Sequence, residues 1–320
     1  MLAVGIDIGG TSMKIGFVNE KGEILHRFRL GVNHEDGQVK MVKELGELVN
    51  QEIEEQGYKA SDFVGIGVGC PGCINSETGR CDFSGNLNWH DLDVVGLLNS
   101  ITGLDTRIAN DASAAMLGEA MFGAGKEYKN LVLLTLGTGV GGGVYINGRL
   151  YEGNEGKGGE LGHMIIRMHG RQCTCGSHGC FEAYASASAL IADTKKAMKK
   201  HRESKLWDYV HGNIDDVNGA TAFEVAKLGD PVAEEVVKNY SYYLSIGVLN
   251  YCNIFRPDAV ILGGGISGQR EYLTRPIEER LAARHYGFPM SPKVRVFVSE
   301  LGNDAGILGA ASLAFEKVKK

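Results

Sequence analysis

Three cysteines and a histidine that could bind a metal ion lie close together in the middle of the chain. They are Cys173, Cys175, Cys180 and His163, with His169 and His178 as alternative fourth ligands. Soft thiolates with an imidazole are typical of tetrahedral zinc. Because protein fills all four positions, none is left for an activated water, and we interpret the predicted zinc as structural. We interpret the other cysteines as apolar core or turn residues: Cys70, Cys73, Cys81 and Cys252.

Three glycine-rich turns could present backbone amides to phosphate oxygens. The first contains Asp7, Gly9, Gly10, Thr11 and Lys14, and Asp7 could hold magnesium through water. The second is Gly137-Thr138-Gly139 in LGTGVGGG, which matches GxGxxG but is followed by a strand and a hairpin turn rather than a helix, so we reject a dinucleotide site. The third is Gly264-Gly265. No P-loop motif occurs, and the three turns together predict a nucleotide.

A group of polar side chains suits a ligand that carries many hydroxyls. Asn110 and Asp111 follow the apolar strand TRIA and precede a helical stretch, so Asp111 is either a helix cap or lies at a cleft beyond a strand end. Glu160 and His163 are three residues apart, which on a helical turn places both on one face. Glu182 follows the last cysteine by two residues. Carboxylates, an amide and an imidazole in this arrangement predict a sugar ligand.

The elements that must position these residues alternate between strands and helices. We predict an antiparallel meander from the first strands, buried strands at VGIGVGCPG, TRIAN and AVILGGGIS, and helices over 38–56, 112–121, 232–254 and 305–319. A strand, a glycine turn and a second strand occur at 7–15 and again at 136–145, which indicates two related α/β halves. Because no Pro-rich or Ser-rich linker separates the halves, we expect them to share a hinge and a cleft.

Composition narrows the class of protein. The chain has 320 residues, which suggests about two domains. Its 33 basic and 39 acidic residues give a net charge of −6, which provides no global electrostatic reason to bind nucleic acid or a membrane. No apolar run approaches the ~18 residues of a membrane span, and no signal-like segment precedes the first strand. We therefore expect a cytoplasmic protein, in which clustered cysteines favour metal binding over disulfides.

Four segments together resemble the ROK family of sugar kinases and repressors. They are Asp7–Thr11, LGTGVGGG, Glu160–His163 and the run from Cys173 to Glu182, and the resemblance extends over nearly the whole chain. It implies a two-domain α/β fold of the actin-like ATPase and hexokinase (ribonuclease H-like) type, with a cleft between the domains. The implied domains are 1–115 with 303–320, to which the C-terminal helix returns, and 116–302 with the zinc loop.

The resemblance also implies site roles. Asp111 matches the general base of the family, and Asn110, Glu160, His163 and Glu182 match its sugar contacts. Gly72 and Asn86 resemble two further sugar-facing positions. His163 would bind zinc through one ring nitrogen and the sugar through the other. ATP and Mg²⁺ would bind at the glycine turns: Asp7, Gly9, Gly10, Thr11, Lys14, Gly137, Thr138, Gly139, Gly264 and Gly265.

Within the family, four stretches are most similar to bacterial glucokinases of Gram-positive type, which implies ATP-dependent phosphorylation of glucose at its 6-hydroxyl. They are NLNW, NDASAAMLGEA, the CxCGxxGC loop and LGNDAGILGAA. Cys73 and the linker MHGRQCTC depart from the common pattern, so N-acetylmannosamine and fructose kinases stay alternatives.

Two other classes of protein fit the sequence less well than a kinase. A sugar-sensing repressor is disfavoured because the first strand begins at residue 2 and the net charge is negative. An actin-like module would need no sugar site, so Asp111 and the zinc loop argue against that class. We expect a hexose as the partner, a homo-oligomer (dimer or tetramer), and closure of the two domains on sugar binding.

Overall fold

The computed structural model describes residues 1–287, 290 and 293–316. Its strands are β1 (Leu2–Ile8), β2 (Ser12–Asn19), β3 (Ile24–Gly31), β4 (Phe63–Cys70), β5 (Cys73–Asn75), β6 (Arg80–Ser84), β7 (Trp89–Asp93), β8 (Thr106–Asn110), β9 (Leu131–Leu136), β10 (Val140–Ile146), β11 (Arg149–Leu150), β12 (Ala259–Gly263) and β13 (Arg295–Val298). Its helices are α1 (Gln38–Glu55), α2 (Val94–Thr102), α3 (Asp111–Phe122), α4 (Glu182–Ala185), α5 (Ala187–Lys200), α6 (Leu206–Tyr209), α7 (Thr221–Ala226), α8 (Pro231–Phe255), α9 (Glu271–Arg284) and α10 (Ala305–Phe315).

The chain divides into two compact units. Unit 1 comprises Met1–Glu127, Gly143–Gly159 and Glu300–Lys320, and unit 2 comprises Tyr128–Gly142 and Glu160–Ser299. The predicted domain limit at residue 115 falls inside α3, and the domain assignment from sequence stays a prediction.

The large sheet of unit 1 brings distant parts of the chain to one edge. Its strand order is β3-β2-β1-β4-β8. Strands β1, β2 and β3 form the predicted antiparallel meander, whereas β4 and β8 run parallel to β1. Asp7 is paired with Gly69, and Gly69 with Ala109. The carboxyl ends of β1, β4 and β8 therefore lie together, which is where ligands bind in open parallel sheets.

Helix α10 packs on this sheet through glycine positions. A Cβ atom added to Gly5 would overlap the carbonyl oxygen of Ile307, and one added to Gly67 would overlap that of Ala310. The close approach of α10 to β1 and β4 therefore requires glycine at both positions. The helix was predicted to extend to Lys319 but ends at Phe315, and residues 317–319 lie outside the described part of the chain.

The sheet associated with unit 2 repeats the topology of the first. Its order is β11-β10-β9-β12-β13, in which β12 runs parallel to β9 and β13 parallel to β12. Strand β10 begins in unit 2 and continues past Gly142 into unit 1, where it forms a hairpin with β11 through the predicted Asn147-Gly148 turn. Both sheets thus consist of a meander followed by parallel strands, which confirms the predicted internal repeat.

Three of the four predicted helices, 38–56, 112–121 and 232–254, are confirmed to within one residue at each end. Four of the six apolar positions that predict α1 are buried, namely Val42, Leu45, Val49 and Ile53. Leu48 is half-buried, and Val39 is exposed. Helix α8 begins after Asp230, whose carboxylate accepts hydrogen bonds from the amides of Val232 and Ala233, and Pro231 occupies the first helical position. Among the described residues no helix is both long and apolar enough to cross a membrane.

Candidate active site and metal centre

Asn110 and Asp111 join the end of β8 to the start of α3. Asn110 is the N-cap, because its Oδ1 accepts a hydrogen bond from the Ala112 amide at 3.0 Å, and its Nδ2 donates to the Gly72 carbonyl at 3.1 Å. Asp111 is the first helical residue; it is exposed, and its Oδ1 also accepts from the Ala112 amide at 2.9 Å. The positive end of the helix dipole favours the ionised form of a carboxylate at this position.

Gly72 and Asn86 lie in neighbouring loops of unit 1. Gly72 has φ +118°, and a Cβ atom there would overlap the carbonyl oxygen of Phe83, so glycine lets this loop lie directly against β6. Asn86 is exposed. A Cβ on Gly10 would lie 3.8 Å from the Asn86 carbonyl oxygen, so the Asn86 loop borders the first glycine turn.

The first glycine turn combines a carboxylate, a lysine and backbone amides. Asp7 Oδ2 lies 3.5 Å from Lys14 Nζ. Burial raises the pKa of Asp7, and the Lys14 ammonium only partly offsets that effect. The Gly9 amide donates to the Ser12 carbonyl at 3.0 Å, which leaves the amides of Gly10 and Thr11 as the candidate phosphate donors. Since one strand separates β1 from β8, Asp7 and Ala109 lie roughly 10 Å apart across the sheet.

In unit 2 the other two glycine turns follow the parallel strands β9 and β12. The Gly137 amide donates to the Gly139 carbonyl at 3.0 Å, and the Gly137 carbonyl accepts from the Ala187 amide at 2.8 Å. These bonds leave the amides of Thr138 and Gly139 as candidate phosphate donors. Gly264 has φ +81°, and a Cβ atom on it would lie 2.5 Å from the Leu136 carbonyl oxygen. The structure therefore brings these two predicted turns together.

Glu182 connects the second glycine turn to the cysteine loop. Its Oε2 accepts from the Val140 amide at 2.9 Å, and its Oε1 accepts from Thr174 Oγ1 at 2.9 Å. A Cβ atom on Gly139 would overlap Glu182 Oε2. Gly139 is thus required for the packing of Glu182, whatever it contributes to phosphate binding.

The Glu160–His163 turn is held against the same strand. Leu161–His163 forms a single 3₁₀ turn that follows Glu160. A Cβ on Gly162 would overlap the Val140 carbonyl oxygen, and the buried Tyr251 hydroxyl donates to the Leu161 carbonyl. Val140 therefore contacts the Glu160–His163 turn through its carbonyl oxygen and Glu182 through its amide.

The four predicted metal ligands converge. One ligand atom from each of His163, Cys173, Cys175 and Cys180 lies within 4.8 Å of the others. The Cys175 and Cys180 sulfur atoms are 3.7 Å apart, and Cys173 Sγ is 3.7 Å from His163 Nδ1. A zinc tetrahedron with Zn–S bonds of ~2.3 Å has sulfur–sulfur edges of about 3.8 Å, so this donor set fits zinc. Among the described residues the group does not include His169 or His178, the alternatives left open by the sequence.

Backbone hydrogen bonds shape the cysteine loop into a tight turn. The Cys173 amide donates to the Ser177 carbonyl at 2.8 Å, and the Gly176 amide to the Cys173 carbonyl at 3.0 Å. Burial raises the pKa of the Cys180 thiol to about 12. A cation among the sulfur atoms would oppose that effect because it stabilises thiolates.

None of the four remaining cysteines forms a disulfide in the described part of the chain, and three of them are buried, as the core interpretation predicts: Cys70, Cys81 and Cys252. Cys73 is half-buried at the start of β5. A hydrogen bond with Cys81 and burial raise the pKa of Cys70. Sequence reasoning missed three residues that position the site, namely Val140, Thr174 and Tyr251, because no short motif marks a backbone amide, a loop hydroxyl or a core tyrosine.

The chain is similar in sequence to known proteins over nearly its whole length. The model of the ROK family matches residues 3–317. The chain is 37% identical over 317 residues to the glucokinase of Thermotoga maritima, covering 98% of each chain. It is 35% identical over 314 residues to the glucokinase of Halalkalibacterium halodurans, covering 97% of this chain and 94% of that one. It is 30% identical to the xylose repressor of Bacillus subtilis, covering 98% of this chain but 77% of the repressor.

A solved structure shows the same fold. The crystal structure of a ROK family glucokinase from Streptomyces griseus in complex with glucose and AMPPNP has a TM-score of 0.82 and 32% sequence identity, and the match covers 99% of this chain and 100% of that chain.

Proposed function

The chain belongs to the ROK family, and from this membership we infer that it is an ATP-dependent sugar kinase that phosphorylates glucose. Its fold is the α/β fold of the actin-like ATPase and hexokinase type. The observation that carries the function is the shared edge of the unit 1 sheet. Asp7 lies near the end of β1, Asn110 and Asp111 lie at the end of β8, and β4 separates the two strands. A carboxylate beside the proposed phosphate-binding turn and a candidate base are therefore held at the same sheet edge.

We assign the proton transfer to Asp111. Its exposed carboxylate accepts the proton of the hexose 6-hydroxyl as that oxygen attacks phosphorus. Asn110, fixed by its bonds to Ala112 and Gly72, holds the strand end beside the base. Gly72, Asn86, Glu160, His163 and Glu182 complete the proposed hexose contacts.

The glycine turns orient the nucleotide. The amides of Gly10, Thr11, Thr138 and Gly139 donate to phosphate oxygens, and Asp7 with Lys14 balances charge near them. Gly264 and Gly265 allow the backbone after β12 to lie close to the ligand. Bound ATP with Mg²⁺ supplies the phosphoryl group and neutralises its developing charge.

We propose that the four-ligand group holds one structural zinc. The edge lengths and the soft donor set support this, and the metal would stabilise the loop that carries Glu182. Because Nδ1 of His163 faces Cys173, Nε2 is the ring nitrogen available to a sugar hydroxyl. The reduced thiols that such a site needs support a cytoplasmic location, and the homo-oligomer stays a proposal to be tested by light scattering.

We propose glucose rather than another hexose as the substrate because two glucokinases match this chain over nearly their whole length. Kinases of N-acetylmannosamine and fructose remain the alternatives, and the xylose repressors extend beyond the part that they share with this chain. The test is a coupled assay of the purified protein with ATP and glucose, mannose, fructose, N-acetylmannosamine or xylose. We expect the highest kcat/KM with glucose. Preference for another hexose would overturn the glucose assignment, and no turnover with any sugar would overturn the kinase.

A further inference from the structure

Glu182 is held from two directions by groups of unit 2. The Val140 amide, directly after the Gly137–Gly139 turn, donates to Oε2, and the Thr174 hydroxyl, between two proposed zinc ligands, donates to Oε1, each at 2.9 Å. One carboxylate therefore joins the segment proposed to bind phosphate to the loop proposed to bind zinc.

On the glycine side, the Glu182 carboxylate lies directly against the backbone of Gly139. A Cβ atom on Gly139 would overlap Glu182 Oε2, so the backbone and the carboxylate already touch. Because the Val140 amide donates directly to Oε2, the orientation of the carboxylate affects where that amide lies.

The contact on the loop side depends on one hydroxyl. Cys173 Sγ lies 3.5 Å from Glu182 Oε1, but a zinc-bound thiolate has no proton to donate. Thr174 Oγ1 then remains as the donor to Oε1 among the residues described. Without it, the carboxylate oxygen would face a negatively charged sulfur with no compensating proton.

We propose that Thr174 is a positioning residue for hexose binding, whose hydroxyl orients Glu182 both for the hexose and for the Val140 amide. The inference rests on the proposed function, in which Glu182 contacts the sugar. It gives Thr174, which no motif marks, a part in substrate affinity that is separate from metal retention.

The test compares Thr174→Val, which keeps the branched shape and removes the hydroxyl, with Thr174→Ser, which restores it. We expect Thr174→Val to raise the glucose KM, and the glucose Kd measured by calorimetry, about tenfold, with kcat changed less than about threefold and zinc content unchanged. Thr174→Ser should stay within about twofold of the wild type. Ser177→Ala, which removes an exposed hydroxyl from the same loop, is the matched control and should have no effect.

A double-mutant cycle with Glu182→Ala separates the mechanism from a general loop effect. If Thr174 acts through Glu182, Thr174→Val should cost no further glucose affinity in the Glu182→Ala background. Additive losses, loss of zinc from Thr174→Val, or wild-type glucose affinity in Thr174→Val would each overturn the inference. Failure of the wild-type protein to phosphorylate glucose would instead overturn the proposed function, so the two failures are distinguishable.

Discussion

At the level of single residues, Asp111 combines exposure with a fixed position at the start of α3. Asp111→Asn keeps the shape and the acceptor for the Ala112 amide but removes the base. We expect kcat to fall by about two to four decades, while glucose Kd changes less than about threefold. Steady-state kinetics and calorimetry measure both quantities.

The control for this substitution is Asp93→Asn in the same unit. Asp93 is the N-cap of α2 and accepts from the Gly96 amide at 2.8 Å, but no site role is proposed for it. Because Asn caps a helix about as well as Asp, this variant should keep both its stability and its turnover. Near-normal kcat in Asp111→Asn would show that Asp111 is a helix-terminal residue and not the base.

Asp230 provides a residue-scale prediction about stability. Burial alone would raise its pKa, but hydrogen bonds from the Ala233 and Lys205 amides, the Ser204 hydroxyl and the Val232 amide outweigh burial and lower it. The folded state then binds fewer protons than the unfolded state around and below the ordinary value of 3.8. The stability that the lowered pKa of Asp230 contributes is therefore complete above 3.8 and is lost as pH falls through the lower pKa of the folded state.

Asp230→Ala should accordingly reduce the free energy of unfolding by about 2 to 3 kcal/mol at neutral pH, and the difference from wild type should shrink on acidification below the ordinary pKa. Urea unfolding across a pH series measures this. Asp215→Asn, whose side chain is 83% exposed, is the control and should change stability by less than about 0.5 kcal/mol. A pH-independent difference would contradict the linkage argument.

At the level of elements, we expect the proposed zinc to stabilise the cysteine loop. We expect one zinc per chain, and Cys173→Ser, Cys175→Ser and Cys180→Ser should each lose both zinc and glucose affinity, because the loop carries Glu182. Elemental analysis and calorimetry measure the two losses. His178→Asn, outside the ligand group, should keep the metal. Zinc-free purified wild-type protein would refute the assignment, and zinc removal that leaves glucose affinity intact would limit the loop to a remote structural role.

At the level of the whole molecule, we expect glucose and ATP to bind cooperatively. Glu182 touches Gly139 on one side and is a proposed sugar contact, so ordering it for one ligand favours the other. Glucose should tighten a nonhydrolysable ATP analogue about fivefold or more, and by linkage the analogue should tighten glucose by the same factor. Calorimetric titrations in both orders test the reciprocity. Factors near one in both orders would contradict the coupling.

Local patterns predicted much of the fold. The spacing of apolar residues located α1, and the repeated glycine turns indicated two related α/β halves, because these features depend on residues close in sequence. The small sheet of β5, β6 and β7 was missed. Its strand β7, with the sequence WHDLD, lacks the strict alternation that marks a strand, and its pairing depends on contacts with neighbouring segments.

The sequence by itself determined the three cysteines of the proposed metal group and the glycine turns, since CxCGxxGC and the turn glycines set their own geometry within a few bonds. The structure selected His163 rather than His169 or His178 as the fourth member of that group. Tertiary structure decided what those residues face. The register Asp7–Gly69–Ala109 joins parts of the chain that are remote in sequence, and only this pairing places Asp7 and Asp111 at one edge. The bond from Asn110 to the Gly72 carbonyl and the bond from the Val140 amide to Glu182 likewise join segments that are remote in sequence, and no local pattern encodes them.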